Sequence, residues 1–342
     1  IIFINTFGHI NLQILKLFYH TFILCILKQM TKKNLSTFLK KYSIDKNNIY
    51  ELDNDASNRR YFRTEDKIIA YIPQSKGESI DDFIKTTKLL KKINIKVPTI
   101  HIIDKKLEFL MLEDFGDKKI SRIKNKNNIL YLLRKSIDLL IQIQSYKPDN
   151  SIQEFSSDEI VDETIMFVDW FMKKEKKIKI NQRTRNDFIN IILEIINYEQ
   201  LKNTVYIHRD YHVDNIFYFR DKKDEIGIID YQDLRIGHVS YDLLSILQDT
   251  RNPIKIDEEE TLIRYFCKKT DIDYDSFSRG YDFFSIQRNL KIIGIFSRLK
   301  HRDKKNKYMN LIQNCINYIK RRLKKTKYQK LNSWLKENYE EF

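Results

Sequence analysis

From residue 49 the chain alternates short apolar runs with polar turns. Beyond residue 116 it changes to long stretches with an apolar residue every three or four positions. The runs Ile49–Arg63, Lys67–Ile72, Ile100–Ile103 and Leu107–Leu112 predict β-strands, the last two as an antiparallel pair. Between them, Ser79–Ile93 predicts a helix with Phe83, Thr87 and Leu90 on its inner face, and Ser79 and Asp82 have capping-box spacing with Asp in place of Glu. A short helix is predicted just after Met30, where Leu35, Phe38, Leu39 and Tyr42 share a face. In the second part, Ile129, Leu132, Leu133, Ile137, Leu140 and Ile141 form one helical stripe. Ile160–Met172 gives an aromatic-rich second stripe, in which Glu163, Asp169 and Trp170 are candidates to face an acceptor. Phe188, Ile191, Ile192, Ile195 and Ile196 form a third, and helices follow near 258–268, 277–299, 308–325 and 329–338.

One segment breaks the helical part. Val205-Tyr206-Ile207, Ile216–Phe219 and Ile226–Ile229 read as three strands, separated by a loop and a charged turn. The loop carries His208, Asp210 and Asn215 in the spacing H-x-D-x-x-x-x-N, and the third strand ends on Asp230. Asp210, Asn215 and Asp230 thus fall near strand ends, where they can converge. Phosphoryl transfer asks little covalent chemistry of a protein. It needs an acceptor hydroxyl held in line and metal ions that neutralise phosphate charge. An Asp can orient the hydroxyl and take its proton, while an Asn and a second Asp offer hard oxygens to Mg²⁺. Kinases place these groups in the order catalytic Asp, Asn, metal Asp.

HRDYHVDN followed by IIDYQDLRIGHVSYDL resembles the aminoglycoside phosphotransferase and choline kinase superfamily, with its H-x-D-x-H-x-x-N loop and its later Gly and Asp. His212, Gly237 and Asp242 match the second His, the Gly and the last Asp. DASNRRYFR (55–63), FLMLEDFGD (109–117) and QRNLKIIGIFSRLKHRDKKNKY (287–308) resemble the bacterial kinases that phosphorylate N-acetylmuramate and N-acetylglucosamine at the anomeric hydroxyl. The resemblance spans about residues 50 to 340.

It implies an α+β, two-lobed, protein-kinase-like fold: a small antiparallel β lobe over 31–114 and a larger helical lobe over 115–342. It implies Asp210 as base or orienter, with His208 and Arg209 supporting it, and Mg²⁺ on Asn215 and Asp230. His212 and Asp242 would hold the loop in shape. ATP, the donor, would lie between the lobes. Its phosphates would meet the backbone of Ser57 and Asn58 and the charges of Arg59, Arg60 or Arg63, and its adenine the backbone of Leu112, Glu113 and Asp114. Most of the superfamily carries a phosphate-holding Lys within the next strand. Here that strand reads KIIAYIP, with Lys67 only at its start, so an Arg of the preceding hairpin is the expected substitute. Arg288, Arg298, His301 and Arg302 fall on the expected substrate side.

Composition changes this picture little. The net charge of +15 would suit nucleic acid or an anionic membrane, but the lysines are scattered through a chain rich in Ile and Asn and poor in Gly and Pro. The resemblance implies a small-molecule sugar as the partner, and the scattered charge adds neither nucleic acid nor membrane to it. The oligomeric state stays open. Cys25, Cys267 and Cys315 have no metal-binding spacing and suggest reduced, buried thiols in a cytoplasmic protein. Leu12–Leu27 is apolar but short for a membrane span and broken by Lys16 and His20, and residues 1–29 read as an upstream or non-native extension before Met30. Two other functions fit less of the sequence: a kinase for another small alcohol or an aminoglycoside, and a non-catalytic protein binding nucleotide or nucleic acid.

Overall fold

The structure is a computed structural model that describes residues 31–53, 58–123, 125–220 and 225–342. The extension 1–29, Cys25 and Ser57 lie outside the described residues. The chain forms two compact units. One runs to Ile80 and resumes over Thr99–Asp114; the other comprises Asp81–Pro98 and Phe115–Phe342.

The first unit is a five-stranded antiparallel sheet of β1 (Tyr50–Glu51), β2 (Arg60–Arg63), β3 (Lys67–Tyr71), β4 (Ile100–Asp104) and β5 (Phe109–Glu113), in the order β1-β2-β3-β5-β4. A helix, α1 (31–41), covers one face of it. The helical spacing read from the sequence is what makes this packing work. Phe38 and Leu39 are buried against Phe62, Ile69, Tyr71, Phe109 and Met111, and Leu35 and Tyr42 pack against the same cluster. The registers Ile68↔Leu112 and Ala70↔Leu110 set the apolar centres of β3 and β5 side by side, both strands largely buried. That burial explains why a lysine is missing from the centre of β3: Ile69 and Ala70 are fully enclosed there, while Lys67 sits at the strand's start and pairs with Asp66.

The second unit is mostly helical. Its elements are α2 (Ile80–Lys92), α3 (Lys126–Gln144), α4 (Ser157–Met166), α5 (Gln182–Glu199), α6 (Ser240–Leu247), α7 (Ile256–Thr270), α8 (Tyr274–Asp303), α9 (Ile312–Leu323) and α10 (Gln329–Asn338). Two small antiparallel ladders lie among them, built from β6 (Val205–Ile207), β7 (Ile216–Phe219), β8 (Glu225–Ile228) and β9 (Arg235–Gly237). In these, β6 pairs with β9 and β7 with β8. The grouping departs from the expected 31–114 lobe at Asp81–Pro98. The reason is packing: Phe83 and Thr87 on the inner face of α2 meet Tyr231, with the Thr87 hydroxyl 2.9 Å from the Tyr231 hydroxyl. Lys96 then accepts the Ile228 N–H (3.0 Å) through its carbonyl.

A second departure follows α4, where Phe167–Glu175 winds as a π-helix in place of the expected continuous α-helix. Opposite the junction, α8 carries Gly294, where a Cβ would lie 2.5 Å from the Met166 carbonyl carbon. The missing side chain lets the α4 backbone approach α8 closely.

Cys267 and Cys315 are buried free thiols, and burial pushes them up to about 11 and about 12 respectively. Thiols held in that range stay protonated and unreactive. Among the described residues no helix is long and apolar enough to cross a membrane.

Candidate active site

The site grows from β6. Its last residue is Ile207, and the chain then turns through Arg209 in the left-handed region (φ 72°). Such a backbone costs a non-glycine residue about 1–3 kcal/mol and persists only where surrounding contacts impose it. Here the imposing group is Asp242 at the start of α6. Its fully buried carboxylate accepts the backbone N–H of His208 (2.5 Å) and of Arg209 (3.0 Å). Burial pushes this carboxyl up to about 6, against the opposing pull of His208 and of those two N–H donors.

Gly237 has a local reason as well. It pairs with Val205 across the β6–β9 ladder, and a Cβ there would come within 2.4 Å of the Ile207 side chain. Gly280 on α8 answers a similar need, since a Cβ would meet the His238 ring at 2.1 Å. His238 in turn contacts the Ser240 hydroxyl (2.9 Å) and accepts its N–H (3.2 Å) as α6 begins.

A closed ring of hydrogen bonds ties Asp210 and Asn215 to His208 and to Ile229, the residue before Asp230. His208 is buried; its Nε2 donates to the Ile229 carbonyl (2.9 Å), and its Nδ1 accepts the Asp210 N–H (3.3 Å). The Ile229 N–H donates to the Asn215 carbonyl (3.0 Å), and the Asn215 side-chain amide donates to the Asp210 carbonyl (3.0 Å). Asp210, Asn215 and the residue before Asp230 are thereby fixed to one another although they lie on separate segments. The same Asn215 amide nitrogen is 3.4 Å from His212 Nε2. With its nitrogen engaged on both sides, Asn215 leaves its Oδ1 without a hydrogen bond among the described residues. Asp230 follows β8 with φ 62°, a second strained position, and its carboxylate accepts from Gln232 (3.1 Å). Val213, further along the loop, donates to Asp249 (3.2 Å), which also holds Arg251.

Charge around Asp210 is arranged in pairs. Glu163 on α4 bridges Arg209 (2.5 Å) and Lys291 on α8 (2.8 Å). Burial works against a charged Arg209, yet Glu163 outweighs it and raises the guanidinium further. Lys291 is raised in the same way, burial opposing and Glu163 prevailing. Asp210 itself is half-buried. Desolvation pushes its carboxyl up, but Lys291, His212, Arg288 and His208 together hold it at about 2. Its carboxylate makes no hydrogen bond or ion pair among the described residues.

Of the three residues weighed on α4 and its extension, Glu163 reaches this cluster. Asp169 is instead bound by Arg185 (2.9 Å) and Lys173 (3.2 Å). Sequence reasoning gave Lys291 and Asp249 no role. The signal for Lys291 was its place three residues after Arg288 on one helix, which sets both on the same face.

The expected nucleotide-contacting residues of the first unit are mostly engaged with neighbouring side chains. Arg60 forms a two-pronged pair with Glu51 (2.6 Å for both contacts), and Arg63 pairs with Asp114 (2.6 Å). Arg59 is buried beside Glu78 at 3.5 Å, whereas Asn58 is exposed. The Glu113 N–H donates to Thr99 (2.8 Å), and Leu112 is paired in the sheet with both Ile68 and Ile100. Among the described residues, no three His, Cys, Asp or Glu side chains cluster as metal ligands. An Asn–Asp pair completed by phosphate oxygens and water requires no such cluster.

Residues 48–278 match the phosphotransferase enzyme family. An N-acetylmuramate/N-acetylglucosamine kinase of Neisseria meningitidis serogroup B is 28% identical, over 78% of this chain and 83% of that one. The enzyme of the same name from Pseudomonas putida is 26% identical, over 78% and 80% respectively. Among solved structures, a choline kinase from Streptococcus pneumoniae superposes with a TM-score of 0.61 at 14% identity, covering 85% of this chain and 99% of that one. An ADP-bound aminoglycoside phosphotransferase gives a TM-score of 0.57 at 12% identity, with 84% and 96% covered.

Proposed function

The chain belongs to the phosphotransferase enzyme family, and from that premise we propose that it transfers the γ-phosphoryl group of ATP to the anomeric hydroxyl of N-acetylmuramate or N-acetylglucosamine, a reaction suited to recycling cell-wall sugars. The observation that carries this reading is the hydrogen-bonded ring through His208, Asp210, Asn215 and Ile229. It fixes the backbone of two residues, Asp210 and Asn215, whose carboxylate and amide oxygen make no hydrogen bond among the described residues. The names of the curated relatives support the choice of acceptor.

In this reading the Asp210 carboxylate accepts a hydrogen bond from the acceptor hydroxyl and sets its oxygen in line with the γ-phosphorus. As the new O–P bond forms and the bond to the departing ADP oxygen breaks, the hydroxyl proton passes to Asp210. A carboxylate held at about 2 is too weak a base to remove that proton beforehand, so it acts only as charge develops in the transition state. An anomeric hydroxyl is more acidic than an ordinary sugar alcohol, which suits such a base. Asn215 Oδ1 and the Asp230 carboxylate are hard oxygen donors of the kind Mg²⁺ takes, and they are the residues that would hold it. When bound, the ion would neutralise triphosphate charge. Asp242 and His208 keep the loop in its strained shape, and Arg209 and Lys291 lock Glu163 beside it.

A substrate panel with Mg·ATP, read as ADP release, tests this. N-acetylmuramate, N-acetylglucosamine or both should turn over, and kanamycin-type aminoglycosides should turn over little. Preferred turnover of an aminoglycoside would leave the phosphotransferase assignment in place and overturn the acceptor.

A further inference from the structure

Arg288, on α8, is 6% exposed, yet its guanidinium makes no hydrogen bond or ion pair among the described residues. Its stem is enclosed, but its guanidinium nitrogens are not among the fully enclosed unpartnered atoms, so the charged end stays accessible to a ligand. The neighbouring charges are already taken. Glu163 is shared by Arg209 and Lys291, Asp249 holds Arg251, and Asp242 caps two backbone N–H groups. Among the described residues of this cluster, the side chains of Asp210 and Arg288 are opposite charges that make no hydrogen bond or ion pair. They lie near enough for the Arg288 charge to be felt at Asp210, and also at His212 and Asp249. They are nevertheless not in contact. The site therefore offers an acceptor for a hydroxyl and, set apart from it, a planar cation with a free fork of donors. That fork matches a carboxylate, which it can bind through two parallel hydrogen bonds.

We propose that Arg288 is the specificity residue of the acceptor site, reading a carboxylate on the sugar, so that an acidic N-acetylated amino sugar is preferred over its neutral counterpart. This rests on the sugar-kinase reading above. Of the two named sugars, N-acetylmuramate carries a lactyl ether with a carboxylate on ring carbon three, two carbons from the anomeric centre. N-acetylglucosamine has a hydroxyl there. A base at the anomeric hydroxyl and a guanidinium at the lactyl group fit two charges that are close but separate.

The test compares kcat/KM for N-acetylmuramate, its carboxamide and N-acetylglucosamine. The wild-type protein should favour the acid over the carboxamide by roughly 10- to 100-fold, the usual worth of a charge-assisted pair. That comparison needs no mutant and is immune to misfolding. In Arg288→Gln the acid-to-carboxamide ratio should collapse towards one. Arg288→Lys should recover part of it, since the charge returns but the planar fork does not. A wild-type protein that uses the carboxamide as well as the acid overturns the proposal. So does an Arg288→Gln variant in which all three sugars fall by the same factor, because Arg288 would then act through Asp210 or on the phosphoryl group. If the wild type phosphorylates none of the three, the sugar-kinase reading itself fails, and this proposal with it.

Discussion

Replacing Asp210 by Asn is expected to lower kcat by roughly 10²-fold or more while leaving the KM for ATP within a few-fold, on the scale typical of a positioned general base. The substitution removes a carboxylate that nothing else in the described protein engages. It leaves intact the backbone bonds that shape the loop, from Asp210 N–H to His208 and from Asn215 to the Asp210 carbonyl. The loss should therefore be chemical, and the melting temperature should barely move. The pH profile sharpens the assignment. Asp210 is held at about 2 and stays ionised throughout the working range, so it cannot produce an acid limb there. Asp242, raised to about 6 by burial, can. When it takes a proton as pH falls, one of its oxygens becomes a donor and its grip on the His208 and Arg209 N–H groups weakens. Activity should decline below about pH 6 in the wild type. Near-wild-type turnover by Asp210→Asn would take this residue out of the chemistry.

Asp230→Ala should cost roughly 10²- to 10³-fold or more in kcat/KM for Mg·ATP, the scale seen when one preorganised electrostatic contact is lost. The position also carries its own control. Asp230 sits at φ 62°, a backbone that glycine adopts without penalty. Asp230→Gly is therefore expected to melt at least as high as the wild type while losing activity as fully as the Ala variant. A non-glycine residue kept in a strained conformation motivates a hypothesis of function, which this pair of variants tests. Turnover titrated against Mg²⁺ checks the role: an unchanged metal dependence in either variant would exclude Asp230 as a ligand.

Much of this arrangement could be read from the chain because it is local. Short apolar runs marked β3, β5, β7 and β8, and the spacing placed Asp210, Asn215 and Asp230 near strand ends. The apolar faces of α1 and α2 were equally plain, since Phe38, Leu39, Phe83 and Leu90 all lie at helical spacing. What stayed hidden depends on partners distant in sequence. The apolar residues of Phe167–Glu175 suit an α-helix, and nothing in their own spacing marks the wider winding found there. A string of arginines after residue 58 looks equally fit for phosphate, yet Arg60 is committed to Glu51 and Arg63 to Asp114, choices made by strand pairing and the chain's return. The Arg209–Glu163–Lys291 bridge joins three elements and carries no signature in any one of them.

The position of the transferred phosphoryl group tests the central claim most directly. Phosphorus NMR of the product formed from Mg·ATP and N-acetylmuramate or N-acetylglucosamine should show a phosphate coupled to the anomeric proton, with loss of the sugar's reducing end. A phosphate coupled to any other ring proton, or a sugar that keeps its reducing end, would contradict it.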